Sequence, residues 1–230
     1  MSNNYNVENV EKVINYKFNN FSLLKMAMTH SSFANDQRMN KNNCNERLEF
    51  LGDAVLELIS SEFLYGKYPD NDEGELTKIR ASLVSEEPLA AVAKKINLPE
   101  YILMGKGEEA TGGRERNSIT SDAVEALLGA IYLDGGIEPA REFALKYILT
   151  DIDEKKIFHD SKTVLQEIVQ KYKLGELKYE IVNESGPDHD KLYEAACVVD
   201  NKVVGSGTGK TKKSAQQKAA FMAIKKLKKH

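Results

Sequence analysis

Apolar residues recur at three- and four-residue spacing through Val10–Ile14, Leu23–Met28, Leu48–Leu64, Leu83–Ile96, Val124–Leu133 and Ala140–Leu149, a rhythm that predicts amphipathic helices. Strand-like alternation is absent before residue 150. Breaks fall at Tyr68-Pro69-Asp70-Asn71, Asn97-Leu98-Pro99, Gly105–Gly113 and Asp134-Gly135-Gly136, where proline, glycine and turn-forming side chains end the pattern. The glycine-rich stretch reads as a flexible loop. Residues 151–160, DIDEKKIFHD, are charged with little apolar content and read as a linker. After it the rhythm changes. A helix over roughly Lys162–Tyr172 precedes alternation at Leu177, Tyr179 and Ile181, then an apolar run at Leu192–Val199. Asp200-Asn201 is a tight-turn pair, Lys202–Gly205 a third short strand, and Lys212–Lys229 a long basic helix. The pattern predicts an all-α domain over 1–150, a linker over 151–160, and an α+β domain of order α-β-β-β-α over 161–230.

Composition narrows the class. With 230 residues, 41% apolar and 29% charged, the chain can bury a sizeable core. No stretch approaches the length of apolar run that a membrane span needs, and MSNNYNVENVEKV lacks the profile of a signal peptide. Cys44 and Cys197 lie far apart and form no CxxC pair, which excludes a disulfide framework and a cysteine zinc site and fits a reducing cytoplasm. The net charge of −3 hides an asymmetry: residues 160–230 carry 14 Lys and 9 acids, whereas 1–159 carry 18 basic and 26 acidic residues. An acidic body joined to a basic domain suggests a catalytic or scaffold unit coupled to a polyanion binder.

The most informative segment is Asn45–Glu57, NERLEFLGDAVLE. At about 100° per residue, Glu46, Glu49, Asp53 and Glu57 fall at about 0°, 300°, 340° and 20°, so four carboxylates share one face. Leu48, Leu51, Val55, Leu58 and Ile59 take the other. A solvated outer face would explain an ordinary acidic stripe. Here, however, Glu49/Asp53 and Asp53/Glu57 are like-charge i,i+4 pairs, each costing about a few tenths of a kcal/mol unless a cation is bound. Phe50, at about 40°, stands beside the acids, where a large apolar side chain suits an interface.

Asp122 and Glu125 form a second acidic pair, in Ser121–Ala130. Asp-x-x-Glu is also an N-terminal capping box. The two readings balance, and a helix starting near Asn117 or Ser118 would exclude the cap. Hard oxygen ligands on two facing helices would hold Mg²⁺, which takes carboxylates, water and substrate phosphate and suits phosphodiester cleavage.

Asn45–Leu56, NERLEFLGDAVL, resembles the signature of the ribonuclease III family of double-stranded-RNA endonucleases. Ala27–Phe33, Glu73–Thr77 with Arg80 and Leu83-Val84, and Asp122–Ala130 resemble further segments of that family, and residues from about Asp160 resemble its double-stranded-RNA-binding domain. The resemblance implies that Glu49, Asp53, Asp122 and Glu125 form a metal-binding cluster holding Mg²⁺, with Mn²⁺ as a substitute. Asp53 and Glu125 would lie nearest the chemistry, and Glu46 and Glu73 would be accessory catalytic acids. Read from its surroundings alone, Asn71-Asp72-Glu73-Gly74 is a polar turn, and Glu57, on the stripe but matching no family residue, is taken as solvated. Phe50 matches an aromatic that family members insert into the partner of a homodimer. Also implied are 5′-phosphate and 3′-hydroxyl ends with a short 3′ overhang, and processing of precursor ribosomal RNA, structured messages and transfer RNA.

Duplex RNA is read by shape through 2′-hydroxyls and phosphates. Gln166 and Glu167 resemble the module's minor-groove helix, and Gly186-Pro187-Asp188-His189 its loop. Lys210, Lys212 and Lys213 open the last helix, where ammonium groups add to the positive end of the helix dipole. Gln216 stands where family members often carry another lysine, which implies somewhat weaker phosphate affinity. Ala215, Ala219, Ala220, Ala223, Ile224 and Leu227 span an apolar arc, so this helix should pack through alanines on a sheet. Gly209-Lys210-Thr211 is not a nucleotide loop, because the required first glycine is Val204. His30, His159, His189 and His230 show no metal spacing, and His30 reads as structural. The alternatives are a catalytically silent duplex-RNA binder or ribosome-associated protein, and an acidic helical scaffold.

Overall fold

The computed structural model describes residues 7–150, 152, 158, 161–187 and 191–227. It divides into two compact units, residues 1–150 and 151–230. Most of the expected linker, and His189, lie outside the described residues.

The first unit is helical: α1 (Glu8–Ile14), α2 (Phe21–Ala27), α3 (Ser31–Asp36), α4 (Glu46–Lys67), α5 (Glu73–Val84), α6 (Glu86–Lys95), α7 (Lys106–Ala110), α8 (Asn117–Gly135) and α9 (Ile137–Phe143), which continues into a π-helical turn at Ala144–Ile148. Helix α8 is apolar nearly all round and buries Ile119, Val124, Leu127, Leu128 and Ile131, as a helix inside a core must. Helix α4 is amphipathic and packs Leu48, Val55, Leu56, Ile59 and Leu64 inward. The two helices touch at glycines. A β-carbon on Gly52 would be driven into the Glu125 carbonyl, and one on Gly129 into the Leu48 carbonyl.

Three expectations need correction. The run Leu83–Ile96 is two helices: Pro88 cannot donate to the Val84 carbonyl and its ring would clash there, so Ser85 adopts an extended conformation at ψ 168° that ends α5 before α6 begins. The presumed polar turn at Asn71–Gly74 opens α5, with the Asp72 carboxylate accepting from the Glu75 amide at 2.8 Å, an N-cap. The stretch Gly105–Gly113 is ordered. Gly105 N donates to Ser32 Oγ and Lys106 N to Asp36 Oδ2, both at 2.9 Å. Ion pairs Arg116–Glu108 at 2.7 Å and Arg114–Glu109 at 3.0 Å secure the same segment.

The carboxylate of Asp134, at the end of α8, accepts from Tyr16 Oη at 2.8 Å and from the amides of Asn19 at 2.9 Å and Asn20 at 2.7 Å. Burial pushes this carboxyl up, but those donors outweigh it and hold the group below its ordinary value of 3.8. The stabilisation is therefore complete above about pH 4 and is lost as pH falls through the lower folded value. Asp134→Ala is expected to lower stability by about 1–2 kcal/mol after discounting for its solvent exposure. Its melting temperature should also change less between pH 5 and pH 3 than the parent's, and an equal acid response would remove Asp134 from this role.

The second unit comprises α10 (Ser161–Lys171), β1 (Leu177–Ser185), β2 (Leu192–Val199), β3 (Lys202–Gly209) and α11 (Lys212–Leu227). The strands form one antiparallel sheet in chain order. Asp200 and Asn201 both hold positive φ, 49° and 61°, as a two-residue hairpin of the primed type requires. Thr211 caps α11 reciprocally: its Oγ1 accepts from Ser214 N, and its N donates to Ser214 Oγ, each at 3.1 Å. The expected alanine face meets the sheet, with Ala215, Ala219, Ala220 and Ala223 buried against Leu165, Val169 and Cys197. Gly205 and Gly207 on β3 face Ala219, and side chains there would collide with the helix backbone. Burial pushes the Cys197 thiol up to about 11, which leaves it inert.

Candidate active site and nucleic-acid interface

Two turns of α4 and one turn of α8 converge where the glycines let the helices touch. Gly52 lies between Glu49 and Asp53 in sequence and faces the backbone of Glu125, so backbone contact of the helices delivers the carboxylates. Oxygen atoms of Glu49, Asp122 and Glu125 all lie within 4.8 Å of one another, each on a half-buried residue. Helix α8 starts at Asn117, so Asp122 and Glu125 are interior and the capping-box reading is excluded.

The crowding shows in the proton affinities. Burial, then Asp53, Asp122 and Glu49, push the Glu125 carboxyl up to about 8. Burial, then Asp122, Glu46 and Asp53, push Glu49 up to about 6. Asp122 is also raised, chiefly by burial. Like charges held this close are a liability that a divalent cation relieves. Three hard carboxylate oxygens with open solvent beside them fit a magnesium-sized ion that keeps waters and takes phosphate.

The other predicted acids are placed differently. Asp53 is exposed and outside the three-residue group, yet within electrostatic reach of both Glu49 and Glu125. Glu46 is exposed in the first turn of α4, where it acts on Glu49 only through its charge. Glu73 is exposed at the start of α5 and lines a groove with Leu58, Tyr65, Leu76 and Arg80, outside the three-residue group. Glu57 is not merely solvated: its carboxylate pairs with Arg80 at 2.9 Å, and Arg80 also donates to Ser61 Oγ at 2.6 Å. His30 caps α3 through Nδ1, which accepts from Ser32 N at 3.3 Å, in keeping with a structural role. Phe50 is 81% exposed beside a second groove lined by Leu23, Met26 and Leu133.

On the second unit, Gln166 and Glu167 are exposed on α10, and Lys210, Lys212 and Lys213 are exposed at the start of α11. Lys212 is ion-paired with Glu184 at 2.7 Å and lies 5.4 Å from the Tyr193 ring centroid. Sequence reasoning missed Gly52, Gly129 and the Lys212 partner. A glycine inside a helix costs about 1 kcal/mol against alanine, and that cost was the available signal for the first two.

A helical unit bearing a carboxylate cluster, joined to an α-β-β-β-α unit, defines a two-domain nuclease of duplex RNA. The Ribonuclease-III-like family model matches residues 20–152, and the double-stranded RNA binding motif matches 161–227. Ribonuclease 3 of Caldanaerobacter subterraneus subsp. tengcongensis is 48% identical over 221 residues, spanning 95% of this chain and 96% of that protein. Ribonuclease 3 of Desulforamulus reducens is 51% identical over 217 residues, spanning 93% and 88%. Among solved structures, the nuclease domain of ribonuclease III from Campylobacter jejuni aligns with a TM-score of 0.58 and 46% identity, covering 62% of this chain and 95% of that one; it is described as flexible in a region involved in dimer formation. The chain belongs to the ribonuclease III family and is an endoribonuclease acting on double-stranded RNA. Among the described residues no helix is long and apolar enough to cross a membrane.

Proposed function

We propose that this chain is a magnesium-dependent, cytoplasmic ribonuclease III that works as a homodimer, with Mn²⁺ able to replace Mg²⁺. The convergence of Glu49, Asp122 and Glu125 within 4.8 Å carries the reading. These three would hold the ion together with Asp53, and Asp53 and Glu125 would lie nearest the chemistry. An ion held there would supply an activated water and charge neutralisation at the attacked phosphate and the leaving oxygen. Glu46 and Glu73 serve as accessory acids. Gln166, Glu167 and His189 read the minor grooves, while Lys210, Lys212 and Lys213 hold the phosphates between them. The products carry 5′-phosphate and 3′-hydroxyl ends with a short 3′ overhang. Precursor ribosomal RNA, structured messages and transfer-RNA precursors are the substrates. A uniform RNA duplex incubated with Mg²⁺, with Ca²⁺ and with chelator tests this, alongside single-stranded RNA of the same sequence. Cleavage of the duplex alone, and only with Mg²⁺, is the expected result. Binding without cleavage in every lane would instead select a silent duplex-RNA binder.

The dimer is supported by the surface of α4. Phe50, Leu58 and Tyr65, exposed by 81%, 60% and 77%, form an apolar stripe along one side of the helix, so Leu58, which the spacing assigned to the inward face, turns outward instead. Single exposed apolar residues are ordinary, but an aligned series marks an interface. Phe50→Ala is expected to shift sedimentation from dimer toward monomer at micromolar concentration. An unaltered dimer would assign Phe50 another role.

A further inference from the structure

The start of α10 is bolted to the first turns of α11 at two adjacent positions. Ser161, fully buried, donates through Oγ to the Gln217 carbonyl at 2.8 Å. Lys162 donates through Nζ to Gln216 Oε1 at 2.9 Å, and the same ammonium sits 4.5 Å above the Tyr179 ring centroid on β1. Lys162 is thus half-buried, with its charge turned onto an aromatic face and an amide. That arrangement joins three elements through one side chain. Gln166 lies one helical turn beyond Lys162 on the same face of α10, and Lys212 lies one turn before Gln216 on α11.

We propose that Lys162 is a positioning residue for duplex RNA. Seated on Tyr179 and held by Gln216, it fixes the spacing between the minor-groove face of α10 and the phosphate-binding start of α11. The module reads duplex shape, so this spacing must match the distance from minor groove to phosphates. Gln216 acquires a purpose of its own here. A lysine at 216 would set a second ammonium against Lys162, whereas the amide oxygen anchors it. The proposal rests on the assignment of Gln166, Glu167, Lys212 and Lys213 to RNA.

The test is a titration of the full chain with an RNA duplex in chelator, where cleavage is off, over a range of salt concentrations. Lys162→Met keeps the aliphatic stem and removes the ammonium. It is expected to weaken binding about 3–10-fold with the slope of log K against log salt unchanged, because Lys162 neutralises no phosphate. Lys162→Arg, which retains a cation over the ring, should restore most of the affinity. Gln216→Leu should reproduce the loss, and serves as the primary variant if Lys162→Met fails to melt cooperatively. A slope reduced by about one unit in Lys162→Met would make Lys162 a direct phosphate contact and overturn the proposal. Unchanged affinity in both variants would overturn it equally. The double variant Lys212→Ala/Lys213→Ala, in the same titration, should weaken binding and flatten the slope. If it does neither, the assignment of the phosphate face fails. If it does both while Lys162→Met binds as the parent does, only the positioning role fails.

Discussion

Glu125→Gln is expected to reduce duplex cleavage by about 10³-fold or more, on the order of 4 kcal/mol of transition-state stabilisation, without weakening duplex binding measured in chelator. Glu125 is the most perturbed carboxyl of the cluster, pushed up to about 8 by burial and by Asp53, Asp122 and Glu49. Glutamine keeps its shape and removes the charge that a divalent ion needs. Because burial and its acidic neighbours already keep the metal-free Glu125 carboxyl largely protonated near neutral pH, the amide replaces a neutral group of the same shape, and the metal-free variant should melt no lower than the parent. Asp53→Asn is expected to fail in cleavage by a comparable route, through loss of field at Glu49 and Glu125. Single-turnover cleavage and filter binding on the same preparations separate the two readouts. A variant that lost cleavage, binding and melting temperature together would show the carboxylate to be structural.

The second large effect concerns a residue with no side chain. Gly52→Val is expected to destabilise the helical unit by about 3 kcal/mol or more, which at this size corresponds to a fall of roughly 10 °C in melting temperature. The position Cβ would take is already occupied by the Glu125 carbonyl, which is backbone and cannot swing aside. Alanine should be costly too, and Gly129→Ala should behave similarly, since it would press on the Leu48 carbonyl from the other side. Prying α4 from α8 also separates Glu49 from Asp122 and Glu125. Any folded fraction of these variants should therefore require more magnesium for the same rate. A stable Gly52→Val protein with ordinary metal dependence would refute the account of how the cluster is assembled.

Local patterns carried much of this molecule. The angular positions of Glu49 and Asp53 follow from sequence spacing alone, and so do the sheet strands, the Asp200-Asn201 turn and the alanine face of α11. Other features depend on partners distant along the chain. The Gly105–Gly113 stretch has the composition of a flexible loop, and only the Ser32 hydroxyl and the Asp36 carboxylate, some 70 residues away, hold it in place. Glu57 shares its face with the cluster acids, yet an arginine on the next helix claims it. The break between α5 and α6 had a local signal in Pro88, which has no N–H to give the Val84 carbonyl and so forbids one continuous helix, but which residue would turn, Ser85, shows only in the fold. Gln216 is a departure from the family pattern by sequence, and its physical sense appears only with Lys162 beside it.

The glycine and alanine seam between β3 and α11 has a thermal consequence. Small residues at close range hide little apolar surface apiece, so cohesion there comes from dispersion across a tight fit rather than from expelled water. Heat capacity change on unfolding tracks newly wetted apolar area. The seam itself should therefore add little to the heat-capacity change of the RNA-binding unit, which is left to the larger side chains of its core, Leu165, Val169, Val199 and Ile224.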